Sequence, residues 1–171
     1  MADEQWGMLT LEQGVLAVVV RRGRLCRVCF ESSAEAVSAA IARFHPAAQR
    51  SAHPLVEKAL RQLADYFLGK RSSFDLPLDD HGLSTFARTV HRQLVKVPYG
   101  AVISYAELAR RAGSPGAARA VGSVMATNPF PLLVPCHRVV NADGRIGRYS
   151  AANGCATKSW LIDFERRLAG T

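Results

Sequence analysis

The stretch SYAELARRAGSPGAARAVGSVMAT, residues 104–127, decides how the second half of the chain folds. Ser104 and Glu107 have the spacing of a Ser-x-x-Glu capping box, in which each side chain satisfies the other residue's free backbone N–H. The box predicts a helix running to about Ala112. Gly113, Ser114 and Pro115 then read as a stop, a new cap and a first helical residue, opening a second helix to about Thr127. Helix, short glycine turn, helix is the helix-turn-helix pattern. In the second helix Ala117, Ala118, Ala120 and Gly122 leave one side nearly bare, and Arg119 is its one long polar side chain. Such a face allows two readings. It suits close packing on another helix, and it equally suits the minor groove of DNA, about 6 Å wide. Major-groove recognition helices use several polar side chains, so here a single Arg reads as a wedge that fills a vacated base position.

Downstream, LLVPCHRVV, residues 132–140, sets Cys136 beside His137 and Arg138. A thiolate, not a thiol, is the nucleophile, so a reactive cysteine needs a donor or cation nearby. The apolar run predicts a buried extended segment on which neighbouring side chains point to opposite sides. The tripeptide alone fits a nucleophile and a buried structural thiol equally well. Residues 141–150 form a turn-rich, basic loop, which reads as a pocket wall or as a solvated hairpin. Lys158 to Leu168 reads as a terminal helix, with Trp160, Leu161 and Phe164 toward the core and Glu165 in an inward register.

Upstream, Phe86, Val90, Leu94 and Val97 recur at helical spacing and Pro98-Tyr99-Gly100 ends that helix. Residues 1–31 read as three strands broken at Glu12-Gln13-Gly14 and Arg21-Arg22-Gly23. Ser32 or Ser33 caps a helix to Phe44, a second helix runs from Pro54 to a stop at Gly69, and Phe74 to Leu78 resembles a short edge strand. The expected fold is a two-part α/β (α+β) chain with its boundary after residue 83. Residues 1–83 form a small antiparallel sheet with helices, and residues 84–171 a mainly helical part with the helix-turn-helix.

Charge follows the same division. Residues 1–83 hold ten Lys or Arg against ten Asp or Glu, whereas residues 84–171 hold twelve against four and so carry the whole net charge of +8. A basic second half points to a polyanionic partner. No run of about 18 apolar residues spans a bilayer. The start, MADEQWGMLTLEQG, carries acids where a signal peptide needs basic charge, which favours an intracellular setting with reduced thiols. Of the four cysteines, Cys26 and Cys29 have the spacing of half a zinc site, but in a regular strand they face opposite ways. Both read as structural, and Cys155 as an incidental surface thiol.

Together these motifs resemble the O6-alkylguanine-DNA alkyltransferases. The matching residues are Val97-Pro98-Tyr99-Gly100, Ile103-Ser104-Tyr105, Ala117 to Gly122, Asn128-Pro129, Val134 to Val140, Gly147-x-Tyr149-Ser150 and Trp160-Leu161 with Glu165. They cover nearly all of residues 86–168. The resemblance implies a single-turnover repair protein that moves an alkyl group from guanine O6, and also from thymine O4, in double-stranded DNA onto Cys136. A base flipped out of the stack is required, because a stacked base hides its substituent from a buried sulfur. In that scheme His137 acts on Cys136 through a water and Glu165 orients the imidazole. Asn128 holds the turn, and Tyr105 donates toward guanine N3 and helps rotate the phosphate. The Ser150 backbone holds O6, and the Cys136 and Val139 carbonyls take the exocyclic amine. Tyr149 and Pro131 complete the pocket. Ser104, Ala118, Ala120 and Gly122 meet DNA around the Arg119 wedge, in the minor groove.

The resemblance further implies no cofactor, a monomer, no membrane and a place in the cytoplasm at the nucleoid, or in the nucleus of a eukaryote. Some relatives bind zinc in the N-terminal half. Here only Cys26 and His81 fall near candidate places, so no metal is expected. The chain departs from the pattern at His91, which reads as a packing residue in place of Trp, and at Ala126, in place of Arg. Residues 151–155 replace a glycine-rich segment. The rivals to this reading are a module that recognises alkylated DNA without repairing it, and a cysteine hydrolase using Cys136 and His137.

Overall fold

The computed structural model describes residues 3–170. Its contacts divide the chain into two compact units, Met1–Asp80 and His81–Thr171. In the first unit, β1 (Glu4–Leu11), β2 (Gly14–Arg21) and β3 (Arg24–Glu31) form an antiparallel meander, and the short β4 (Gln49–Arg50) joins β1 in parallel, giving the order β3-β2-β1-β4. The β2–β3 turn holds Arg22 and Gly23, both at positive φ (50° and 74°), as a type I′ hairpin requires.

Val15 to Val20 of β2 are all buried because the sheet is covered on both faces. On one face α1 (Ala34–Phe44) sets Val37 and Ile41 against Val15, Ala17 and Val19. On the other lies α2 (Pro54–Phe67), so close that a Cβ on Gly7 would stand 2.7 Å from Val56 Cγ1. Ser33 caps α1, accepting from the Ala36 N–H at 3.2 Å.

Two expectations for this unit need correction. Cys26 and Cys29 do not face opposite ways. The register slips between Val19 and Val20, so Arg27 opposes Val19, Leu25 opposes Val20, and Cys26 is the extra residue of a bulge. That slip brings both thiols into one apolar cluster, where burial pushes each up to about 11. Residues 74–78 form no strand, only an isolated bridge from Leu78 to Leu25. The Pro77 carbonyl accepts from Leu25 N–H at 2.8 Å, but Pro77 has no N–H with which to extend the ladder.

Cys26 also lies near Glu4 and His45, with ligand-type atoms all within 4.8 Å of one another. Glu4 and His45 are already engaged: Arg27 Nε donates to His45 Nε2 at 3.1 Å, His45 Nδ1 meets Glu4 at 3.0 Å, and Arg21 takes the other Glu4 oxygen at 3.3 Å, while the Cys26 thiol donates to Val19 O at 3.5 Å. Two arginines thus stand where a cation would need electron pairs, and this donor set does not fit a metal. His81 belongs to the second unit.

The second unit contains α3 (Thr85–Leu94), α4 (Tyr105–Arg111), α5 (Ala118–Ala126) and α6 (Cys155–Ala169). A two-stranded parallel pair, β5 (Ile103–Ser104) with β6 (Val139–Val140), ties the start of α4 to the chain just past Cys136. The sequence did not announce it, because each strand is two residues long. α3 stops at Leu94 rather than Val97, and tighter turns take over, with Lys96 N–H on Gln93 O and Val97 N–H on Leu94 O.

Only half of the capping box forms. Ser104 Oγ accepts from Glu107 N–H at 3.1 Å, while the Glu107 carboxylate turns to Arg110 and Arg111. α5 begins at Ala118, not at Pro115, because Gly116 sits at φ 88°, outside the helical region. α6 starts one turn earlier than expected. Its buried side consists of Thr157, Lys158, Leu161, Ile162 and Glu165, whereas Trp160 and Phe164 stack on each other, partly exposed, with ring centroids 4.8 Å apart.

Candidate functional site

Cys136 opens a single 3-10 turn, Cys136–Arg138, rather than ending an extended segment. Asn128 builds the approach to it: its Oδ1 accepts from Phe130 N–H at 3.0 Å and its Nδ2 donates to Val134 O at 2.9 Å. Those bonds fold residues 129–134 into a compact turn in which Leu132 takes a φ of 73°. A 3-10 turn has about three residues per turn, so consecutive side chains point a third of a turn apart. Cys136, His137 and Arg138 therefore diverge in three directions, all buried.

His137 and Arg138 both reach Glu165 on α6. Nε2 of His137 lies 2.7 Å from Oε1, while the Arg138 guanidinium donates to both carboxylate oxygens at 2.8 and 2.9 Å. Gly100 N–H adds a bond to Oε2 at 3.1 Å, and Arg138 Nη1 donates to Val97 O at 2.8 Å. The backbone must run close there, since a Cβ on Gly100 would stand 2.7 Å from Ala169 Cβ. Burial opposes ionisation of Glu165, yet the bonds from His137 and Arg138 outweigh it and bring its carboxyl down to about 2. An ionised Glu165 can only accept, so Nε2 carries the imidazole proton and Nδ1 keeps its lone pair. Nδ1 is buried and makes no hydrogen bond within the protein.

Burial lowers the pKa of His137 and raises that of the Cys136 thiol. An Asn128 hydrogen bond, the Lys158 charge and backbone N–H groups act against that rise at sulfur. The resting site thus pairs a neutral thiol with a neutral imidazole whose basic nitrogen is free to take a proton.

Cys136 forms part of the wall of a cavity of about 690 Å³, together with Tyr105, Arg119, Gly122, Tyr149 and Ser150. Tyr105 is the first residue of α4, and Gly147 is a glycine because a Cβ there would stand 2.8 Å from the Tyr105 hydroxyl. Of the bare side of α5, only Gly122 lines this cavity, with Arg119 beside it. A Cβ on Gly122 would meet nothing within 4 Å, and Ala120 and Arg119 are exposed, so that face is not packed against another helix. Of the other pocket and interface candidates, Val139 and Pro131 are buried in the segment around Cys136 and do not line the cavity, nor do Ser104, Ala118 and Ala120. His91 is buried on the inner side of α3, as a packing residue would be.

Two residues escaped the sequence reading. Lys158 is 1% exposed and has no carboxylate partner among the described residues; its Nζ stands 3.5 Å from the Tyr105 hydroxyl. Burial lowers its pKa, and the nearby Cys136 and Cys155 thiols pull the other way. A charged residue in the interior face of an otherwise apolar helix pattern was the available signal. Arg138 was noted only as a neighbour of Cys136, and its ties to Glu165 cross 27 residues of sequence.

The profile described as "6-O-methylguanine DNA methyltransferase, DNA binding domain" matches residues 85–167, and that described as "6-O-methylguanine DNA methyltransferase, ribonuclease-like domain" matches residues 6–79. A methylated-DNA–protein-cysteine methyltransferase of Mycolicibacterium paratuberculosis is 46% identical over 109 residues, 64% of each chain. The constitutive one of Bacillus subtilis is 40% identical over 113 residues, 66% of this chain and 67% of that one. The chain thus spans about two-thirds of the length of the relatives it matches in sequence. The crystal structure of Mycobacterium tuberculosis OGT in complex with DNA superposes with a TM-score of 0.81 at 30% identity, covering 96% of this chain and 94% of that one. By sequence, fold and domain matches alike, this chain belongs to the methylated-DNA–protein-cysteine methyltransferase family.

Proposed function

We propose that this protein repairs O6-alkylguanine in duplex DNA by taking the alkyl group irreversibly onto Cys136, with O4-alkylthymine as a second substrate. The observation that carries the reading is the buried Glu165–His137 bond, which leaves His137 Nδ1 unpaired, beside a Cys136 that forms part of the wall of a cavity reached by Arg119 and Gly122 of α5. The thiol proton leaves through water to His137 Nδ1. Sulfur then bonds to the alkyl carbon as the carbon–O6 bond breaks, and the electron pair passes to O6. Tyr105 gives a proton toward guanine N3, with the Lys158 ammonium beside its hydroxyl, and regains one from the His137 imidazolium through water, so the thiol proton is passed on and the purine leaves as neutral guanine. The thioether has no route to hydrolysis, so each molecule reacts once and no cofactor is called for.

The same reading assigns DNA contact to the α4–α5 pair, used as a helix-turn-helix that sets α5 in the minor groove. Arg119 occupies the space of the flipped nucleotide, and the Ser150 backbone with the Cys136 and Val139 carbonyls holds the base. The protein acts as a monomer on the chromosome, in the cytoplasm or in a nucleus. No helix among the described residues is long and apolar enough to cross a membrane. Because basic side chains displace counterions from phosphates, affinity should fall steeply with salt.

The test is stoichiometry with radiolabelled O6-methylguanine duplex in excess. Transfer predicts a burst of one methyl per protein and then none. Continued turnover would indicate a hydrolase, and binding with no methyl transferred would indicate a recognition module.

A further inference from the structure

Of the four cysteines, Cys26 and Cys29 lie in an apolar cluster whose burial pushes each thiol up to about 11, which keeps them inert. The other two line one cavity. Cys136 is buried in its wall, whereas Cys155, the first residue of α6, is exposed. Alkyl transfer uses the buried thiol and leaves the exposed one without a role.

A short chain of contacts joins the surroundings of the two sulfurs. Cys155 Sγ lies 3.6 Å from the Gly147 carbonyl, and Gly147 runs so close to the Tyr105 hydroxyl that a Cβ there would stand 2.8 Å from it. That hydroxyl is 3.5 Å from Lys158 Nζ. Lys158 follows Cys155 by three residues on α6, a spacing that puts both side chains on one face of the helix. Its charge interacts with both thiols, that of Cys136 more strongly. No side chain caps the start of α6, and an uncapped helix end frays most readily, which leaves Cys155 able to move toward the cavity.

We infer that Cys136 and Cys155 are a redox pair, in which the exposed thiol reacts first with a low-molecular-weight disulfide and then hands the oxidation to Cys136 as a reversible Cys136–Cys155 bond. Exchange of this kind passes through a mixed disulfide, and access decides which thiol begins it. Cys155 sulfur bonds to one sulfur of the reagent, the reagent's S–S bond breaks, and its other half leaves as a thiol with the Cys155 proton. Cys136 sulfur then attacks the Cys155 sulfur, the mixed disulfide breaks, and the second half leaves with the Cys136 proton. Two protein thiols are oxidised and one disulfide is reduced to two thiols. A sulfur held in this bond takes no alkyl group until it is reduced, and it is kept from the irreversible acids at the end of cysteine oxidation.

The experiment incubates the full chain with oxidised glutathione, digests it without reduction and maps the disulfides by mass. The wild-type protein should yield the Cys136 and Cys155 peptides joined, lighter by two hydrogens than their sum. Methyl transfer from O6-methylguanine duplex should be lost with that bond and return on adding dithiothreitol. Cys155→Ser should transfer methyl at the wild-type rate when reduced, and should keep that activity through the oxidation that silences the wild type. A stable glutathione adduct on Cys155 with Cys136 still a thiol overturns the inference. So does a bridge between Cys26 and Cys29 alone, or a Cys155→Ser protein silenced as fast as the wild type. If the reduced wild type transfers no methyl group, the alkyl-transfer reading fails, while the disulfide map still decides the redox pair.

Discussion

His137 Nε2 lies 2.7 Å from Glu165 Oε1, and neither side chain is more than 1% exposed. This bond fixes which imidazole nitrogen is basic. Because burial holds the histidine pKa below its ordinary 6.5, the base stays unprotonated through neutral pH. The single-turnover rate should be level from about pH 6.5 upward through neutrality and fall only on the acid side of 6.5. A half-maximal point above pH 7 in the measured profile contradicts a neutral base.

The same carboxylate stabilises the fold. Its folded value of about 2 lies below the ordinary 4.5, so the stability it adds is complete above about pH 4.5 and is lost as pH falls toward 2. Glu165→Gln leaves Arg138 buried without its charge partner, which should cost about 3–5 kcal/mol. Urea unfolding at pH 7 checks that cost. Repeated toward acid, the variant should show a shallower loss of stability than the wild type.

Lys158 is a buried cation facing a phenol, an arrangement that desolvation disfavours. Lys158→Met should therefore leave the melting temperature unchanged or raise it, while slowing transfer at least about tenfold. Tyr105→Phe should slow it comparably. If the two act as one unit, the double variant should be little worse than either alone. Fully multiplicative losses would separate them.

On α5, Gly122 has open space where a side chain would stand. Gly122→Leu should fold, and should gain up to about 1 kcal/mol in helix propensity. Its affinity for duplex DNA should drop at least about tenfold, because the added side chain projects into the space proposed for the groove. Unchanged binding would place the DNA elsewhere. Arg119→Ala should slow repair in duplex while leaving transfer from a free O6-alkylguanine base near wild-type speed. Equal losses on both would remove the wedge role.

Much of the fold was legible because it depends on local signals. β-rich runs broken at Glu12-Gln13-Gly14 and Arg21-Arg22-Gly23 marked β1 to β3, the Ser32-Ser33 pair marked the start of α1, and Pro54 and Gly69 bracketed α2. The failures were non-local. The bulge that brings Cys26 and Cys29 to one face is set by pairing with β2, and residues 136–138 look extended until Asn128 folds the chain before them. At the site, Cys136, His137 and Glu165 were visible through the family resemblance. Lys158 was not, although it falls at helical spacing from Leu161 and Glu165 on the buried side of α6, because a lysine at a helix start reads as solvated until its burial is seen. Half of the capping box failed for a similar reason: Glu107 had two arginines within reach, and spacing alone does not weigh that competition.

The account stands or falls on the fate of the Cys136 sulfur. Peptide mass mapping after stoichiometric exposure to O6-methylguanine duplex should find one added methylene on the peptide bearing Cys136, with Cys26, Cys29 and Cys155 unchanged. An unmodified Cys136 in folded protein that has bound the lesion, or a methyl group on any other residue, would contradict it.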